Sequence, residues 1–212
     1  MFNFLNKKKD NNSDRKIKPA IEFIQSITIA IGLSICIFAI ITPSEVEGSS
    51  MEPNFHNGER VYTNRLPQWL NNTFLTRVLG LDYSRGDVIV FNITGTSISL
   101  IKRIVGLPGD KLEINNGNIY LNDQLLKESY LPQNIKTNSG TYIKEGEIFT
   151  IPQDSFFVAG DNRPNSNDSR YLGFIKKDWM QGKVLVRVWP LSRLGIIGKG
   201  ESEFTPDKLN NN

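Results

Sequence analysis

A mostly β domain behind a single membrane-spanning helix is the fold class this sequence predicts, and two observations predict it. Residues 23 to 42 form a charge-free stretch rich in Ile, Leu, Ala and Phe, close to the ~20 residues a helix needs to cross a hydrocarbon core. From Ser44 onward the chain breaks into short apolar or alternating runs separated by Gly, Pro, Asn and Asp, which is the pattern of strands and turns.

Taken in chain order, residues 1–18 are Asn-, Lys- and Asp-rich and read as a disordered basic tail. Residues 19–43 read as the transmembrane helix, with Pro43 ending it. Lys7, Lys8, Lys9, Arg15, Lys16 and Lys18 precede the span, so the positive-inside rule holds the N-terminus in the cytoplasm and makes residues 44–212 extracytoplasmic. A cleavable secretory signal fits less well, because the apolar run is long and Pro43-Ser44-Glu45-Val46-Glu47 offers no small-x-small cleavage site. A buried core helix would show a polar face, and none is formed here.

Within the exported part, strands are expected at 87–91, 97–106, 111–114, 118–121, 148–151, 156–159 and 183–189. Asn115-Asn116-Gly117 signals a hairpin, since Asn and Gly tolerate the positive φ of tight turns, and Leu107-Pro108-Gly109-Asp110 signals another turn. Residues 66–81 space Leu66, Trp69, Leu70, Phe74, Leu75, Val78 and Leu79 more like a helix than a strand. That segment reads as a core-packing helix or apolar loop, with contact to the lipid interface as the alternative.

Composition narrows the chemistry. The formal charge of +3 is concentrated in the tail, where six basic residues face two acidic ones, so the body is close to neutral. A nucleic-acid partner, which needs a basic face, is not expected. One cysteine, Cys36, permits no internal disulfide or CxxC site, and a single histidine, His56, rules out metal sites built on paired histidines. No metal or cofactor is expected. A hydrolase on this chain has to activate its nucleophile in some way other than a metal site built on paired histidines.

Three segments can carry such chemistry. Val46-Glu47-Gly48-Ser49-Ser50-Met51-Glu52-Pro53 places two hydroxyls just beyond the membrane span, and by itself it reads as readily as an ordinary Ser/Gly turn. In the strand 97–106, Leu100, Lys102 and Ile104 share one face and Ile101, Arg103 and Val105 the other. Burial of Lys102 among apolar neighbours would lower its pKa toward neutrality and leave an amine able to take a proton. Periodicity alone does not separate this from an edge-strand lysine whose ammonium snorkels to water. The third segment, Gly160-Asp161-Asn162-Arg163-Pro164-Asn165-Ser166-Asn167-Asp168-Ser169-Arg170, reads as an ordered, self-bonded polar loop. A calcium loop is disfavoured by the absence of EF-hand spacing and by Arg163 and Arg170.

Ser-Met-x-Pro at 50–53, Arg-Gly-Asp-Val-Ile-Val-Phe at 85–91, Lys-Arg-Ile-Val-Gly-Leu-Pro-Gly-Asp at 102–110 and the Gly160–Arg170 loop occur in this order behind one anchor. In this the chain resembles the type I signal peptidases. The resemblance implies an extracytoplasmic, β-barrel-like catalytic domain with a small inserted β region at about 111–152. It implies a serine endopeptidase that removes signal peptides from exported precursors, cutting after small residues at positions −1 and −3. Ser50 is then the nucleophile, Lys102 the general base, and Ser166 the hydroxyl that hydrogen-bonds and orients the lysine amine. Asp168 and Arg170 pair to brace the loop, and Asp161 shapes the site.

The resemblance also implies an oxyanion hole built on the Ser50 backbone N–H. The position two residues earlier, a hydroxyl in many members, is Gly48 here, which leaves the second donor open. Asn54 replaces the usual threonine after Ser-Met-x-Pro. Val46 and Ile101 are expected to line shallow substrate pockets, and the partners are signal peptides and the bilayer, with the enzyme a monomer in a plasma or thylakoid membrane. A self-cleaving Ser/Lys protease would call for a DNA-binding module where this chain has its span. A membrane-tethered, non-catalytic β-domain binding protein would have no need of Ser50, Lys102 and Ser166 together.

Overall fold

The apolar N-terminal stretch forms one helix, α1 (Asn12–Ile40), of which Ile21–Ile40 is long and apolar enough to cross a membrane. Its few polar side chains need no water: Ser26, Thr28 and Ser34 donate to the carbonyls of Glu22, Ile24 and Ala30, one turn back. The helix ends at Ile40, three residues earlier than the sequence reading placed it, and Ile41–Glu45 is strand β1. Pro43 accounts for this, because its ring disfavours helical geometry in Thr42 and its missing N–H cannot bond back into a helix.

The computed structural model describes residues 12–69, 82–93 and 98–206 and divides into two units, Met1–Ile40 and Ile41–Asn212. The start of the basic tail, residues 1–11, lies outside the described residues. So does most of the apolar 66–81 segment, of which only the short helix α2 (Leu66–Trp69) is described.

The second unit is mostly β, and its ladders are antiparallel. The larger sheet runs β1, β2 (Arg60–Asn64), β11 (Met180–Trp189), β3 (Val88–Asn92), β4 (Ser99–Gly106), β9 (Ser155–Ala159), β10 (Ile175–Lys176), with β12 (Gly195–Ile196) added on β11. It is an open path: among the described residues no ladder joins β1 to β10 to close a barrel. A short helix, α3 (Ser169–Leu172), closes the loop that follows β9.

The smaller sheet is built from the insert, β5 (Lys111–Asn115), β6 (Asn118–Leu121), β7 (Gln124–Glu128) and β8 (Ile148–Thr150), in the order β13-β7-β6-β5-β8. Asn116 and Gly117 turn β5 into β6 at φ of 51° and 76°, the left-handed geometry that the Asn-Gly pair predicts. The fifth strand, β13 (Ser202–Pro206), comes from the C-terminal tail, which the sequence reading left unassigned.

Apolar burial joins the two sheets. Val105, Phe157 and Ala159 of β4 and β9 pack with Leu112, Ile114, Ile119 and Leu121 of the smaller sheet. Fully burying a side chain of that size contributes about 1.5–3 kcal/mol, so the insert is anchored through the strand that also carries Lys102.

Candidate active site

Ser50 sits half-buried at the start of a tight turn after β1. Glu52 N–H bonds the Ser49 carbonyl at 3.1 Å and Phe55 N–H bonds the Met51 carbonyl at 2.9 Å. Met51 and Phe55 plug into a core cluster with Val46, Val61, Val88, Val90, Ile101 and Val184, so the turn is fixed by apolar burial on both sides of the serine. Gly48 has φ +80°, and its N–H donates to Asn57 Oδ1 at 2.7 Å. Among the described residues the Ser50 N–H has no hydrogen-bond acceptor.

Lys102 stands in β4 opposite Ile89 and is 2% exposed. Its Nζ lies 2.7 Å from Ser50 Oγ and donates to the Ile101 carbonyl at 2.8 Å. Burial lowers its pKa from 10.5 to about 8, although the carboxylates of Asp168 and Asp161 pull the other way. The snorkelling alternative is therefore not what the fold shows, since the ammonium does not reach water.

The neighbouring Arg103, on the other strand face by alternation, reaches the same centre. Its Nε and Nη2 donate to the two oxygens of Asp161 at 2.9 and 2.7 Å. Its flank stacks against the Tyr130 ring, 4.2 Å from the centroid. A buried guanidinium is tolerable only with a full set of partners, and Asp161, fully buried, supplies most of them.

The Gly160–Arg170 loop is self-bonded, as its composition suggests. Arg170 makes a two-pronged pair with Asp168, 2.8 Å from Nε to Oδ1 and 2.9 Å from Nη2 to Oδ2, and also donates to the Arg163 carbonyl at 2.7 Å. Gly160 N–H donates to Asp168 Oδ2 at 2.9 Å. Burial pushes the Asp168 pKa up, but Arg170 and the Gly160 N–H outweigh it and hold the carboxyl ionised below its usual range. Asn162 then ties the loop to the Ser50 turn, its N–H donating to the Ser50 carbonyl at 3.0 Å and its amide to the Ser49 carbonyl at 3.1 Å.

Two expected roles look different in three dimensions. Ser166 is buried close to Asp168, yet its Oγ has no hydrogen bond of normal geometry among the described residues, and it does not hold the Lys102 amine. The amine is held by Ser50 and Ile101 instead. Val46 is 1% exposed and packs in the core, whereas Ile101 lines the cleft beside Ser50 and Lys102. That cleft, of ≈ 670 Å³, runs between Thr42–Gly48 on one side and Ile98–Lys102 on the other, with Ser50 among its lining residues.

Sequence reasoning gave no part to Arg103, Asn54, Glu128 or Arg163. Arg163 is fully buried and pairs with Glu128 at 2.7 Å, while Asn54 bonds Asp161. A second cation beside Lys102 in an apolar run was the one available signal, because a buried arginine demands a carboxylate. Asn54 was marked only as a departure from the usual threonine, and nothing local marks Glu128.

This chain is similar to known proteins. The family described as signal peptidase, peptidase S26, matches residues 20–189. Signal peptidase IB of Staphylococcus aureus is 32% identical over 206 residues, covering 92% of this chain and 99% of that protein. A probable signal peptidase I-2 of Synechocystis is 31% identical over 184 residues, 84% of this chain and 77% of its own length. A crystal structure of a signal peptidase I from Enterococcus faecalis, 30% identical, aligns with 48% of this chain and 96% of its own at a TM-score of 0.40.

Proposed function

The chain belongs to the peptidase S26 family of signal peptidases, and from that premise we propose that Ser50 and Lys102 are the dyad with which it works. It is a membrane-anchored serine endopeptidase that removes signal peptides from exported precursor proteins. The 2.7 Å approach of Lys102 Nζ to Ser50 Oγ, out of water, is the observation that carries the residue assignment.

With the amine neutral, one N–H goes to the Ile101 carbonyl and the nitrogen lone pair accepts the Ser50 proton. Ser50 Oγ attacks the scissile carbonyl carbon, and the developing oxyanion is met by the Ser50 N–H. Lys102 returns its proton to the leaving amine, which departs as the new N-terminus of the mature protein. Water, deprotonated by the same amine, then hydrolyses the acyl-enzyme. Asp168, Arg170 and Asp161 are supports that keep the loop and the strand in register, and Ser166 is buried in the same loop.

The substrate lies extended in the cleft that Ile101 lines, and the cut falls after small side chains at positions −1 and −3. The basic tail stays in the cytoplasm, α1 spans the membrane, and residues 44–212 act outside as a monomer. Tethering the site to the bilayer raises its effective concentration toward a membrane-inserted signal peptide.

Cleavage of a purified precursor by the full-length protein in detergent tests the assignment. Ser50→Ala and Lys102→Ala should each abolish processing while the melting transition survives, and full activity in either variant overturns the dyad.

A further inference from the structure

Asn54 lies four residues after Ser50, at the end of the turn that presents the nucleophile. Its side-chain amide donates both hydrogens, one to the Tyr130 carbonyl at 2.9 Å and one to Asp161 Oδ2 at 2.8 Å. Its backbone carbonyl accepts from Arg187 Nη2 at 2.6 Å and Arg193 Nη2 at 3.1 Å, two cations that share the buried carboxylate of Glu59. One residue thus fastens the nucleophile turn to the segment after β7 in the insert, to the Gly-Asp-Asn loop, and to β11 and the turn that follows it.

The bond to Asp161 matters most, because it closes a circuit through both members of the dyad. From Ser50 the chain runs to Asn54, whose amide holds Asp161; Asp161 holds Arg103 by two bonds; and Arg103 is the residue bonded to Lys102. The next residue in the loop, Asn162, independently holds the Ser50 carbonyl. Asp161 and Arg103 are both buried, so the bonds between them are shielded from water, and the Asn54–Asp161 bond is partly buried.

We infer that Asn54 is a positioning residue of the Ser50/Lys102 dyad, its two-donor amide setting the approach of the nucleophile turn to the lysine strand. The residue type follows from the geometry. A planar amide offers two N–H groups in fixed directions; a hydroxyl offers one donor, enough for Asp161 or Tyr130 but not both; a carboxylate would face Asp161 with like charge. Asn54 is not among the residues lining the cleft, so its contribution is to turnover rather than substrate affinity.

The inference rests on the dyad reading, and the test keeps the two apart. Asn54→Ala, Asn54→Thr and Asn54→Asp are made in the full chain beside Ser50→Ala, and kcat, KM, the pH profile and the melting transition are measured in detergent. Asn54→Ala is expected to lower kcat by about 10- to 100-fold, the scale of a small misplacement of reacting groups, with KM near the wild-type value, and Asn54→Thr to recover part of the loss. Asn54→Asp adds a carboxylate to the two that face the amine, Asp161 and Asp168, and is expected to move the acid limb of the profile to higher pH.

Wild-type kcat in Asn54→Ala overturns the inference. So does a loss that only follows the folded fraction, with Asn54→Thr no better and the pH profile unmoved in all three variants. An active Ser50→Ala would instead overturn the dyad, and this inference with it.

Discussion

Under the proposed dyad, lowering the pH through about 8 should switch the enzyme off, because an amine is a base only when neutral. Lys102 is 2% exposed, and desolvation brings its pKa from 10.5 to about 8. At pH 7 roughly a tenth of the molecules would hold a neutral amine, against about 3 in 10,000 at the unshifted value, so burial supplies roughly 300-fold in active enzyme. The measurement is kcat/KM for a short signal-peptide substrate from about pH 6 to about pH 10, which reports the free enzyme's ionisation. A single-proton rise with a midpoint near 8 is expected, and Lys102→Arg, whose guanidinium does not deprotonate, should be inactive throughout. A rate that climbs only near pH ~10, where an unburied lysine titrates, or that is flat across the range, would refute the burial argument.

Two further outcomes follow from the same geometry. Because the folded-state pKa of Lys102 lies below its unfolded value, the unfolded chain holds a proton that the native state lacks between about pH 8 and 10.5, and stability rises with pH across that window. The penalty, roughly 3 kcal/mol, is fully present below about pH 8; Lys102→Met should therefore melt higher than wild type at neutral pH, with the advantage fading as pH approaches 10.5. An advantage independent of pH, measured by thermal melts, would contradict this. A Cβ added at Gly160 would run into Ser166 Oγ and the Ser50 carbonyl oxygen and lie 2.6 Å from Ser166 Cβ. Gly160→Ala should destabilise by about 1–3 kcal/mol and displace Ser50, so that precursor cleavage falls much further than the melting temperature; intact cleavage would show that the serine is not seated against this loop.

The polar framework around the dyad explains why so much charge is buried in a small catalytic domain. Arg103, Arg163 and Arg170 are each paired with a carboxylate, Asp161, Glu128 and Asp168 respectively. A buried pair adds little net stability compared with apolar packing, yet breaking one leaves an uncompensated charge. The framework is thus better suited to holding a geometry than to raising stability, and all three pairs meet the Gly160–Arg170 loop or the strand of Lys102.

The sequence by itself determined what depends on neighbouring residues. The apolar span was legible from its length, the strands from alternation and punctuation, and the β5–β6 hairpin from Asn-Gly. The order of the motifs marked Ser50, Lys102 and the Gly160–Arg170 loop. Tertiary structure decided which distant groups meet. It drew β1 out of the end of the predicted span and brought the tail strand β13 onto β7. It put Val46 in the core, kept the Ser166 hydroxyl away from the Lys102 amine, and joined Asn54 to Asp161 across 107 residues. The physical reason is that periodicity records which side of a strand is apolar, whereas a buried polar group is satisfied by whatever partner the folded chain brings within hydrogen-bond reach.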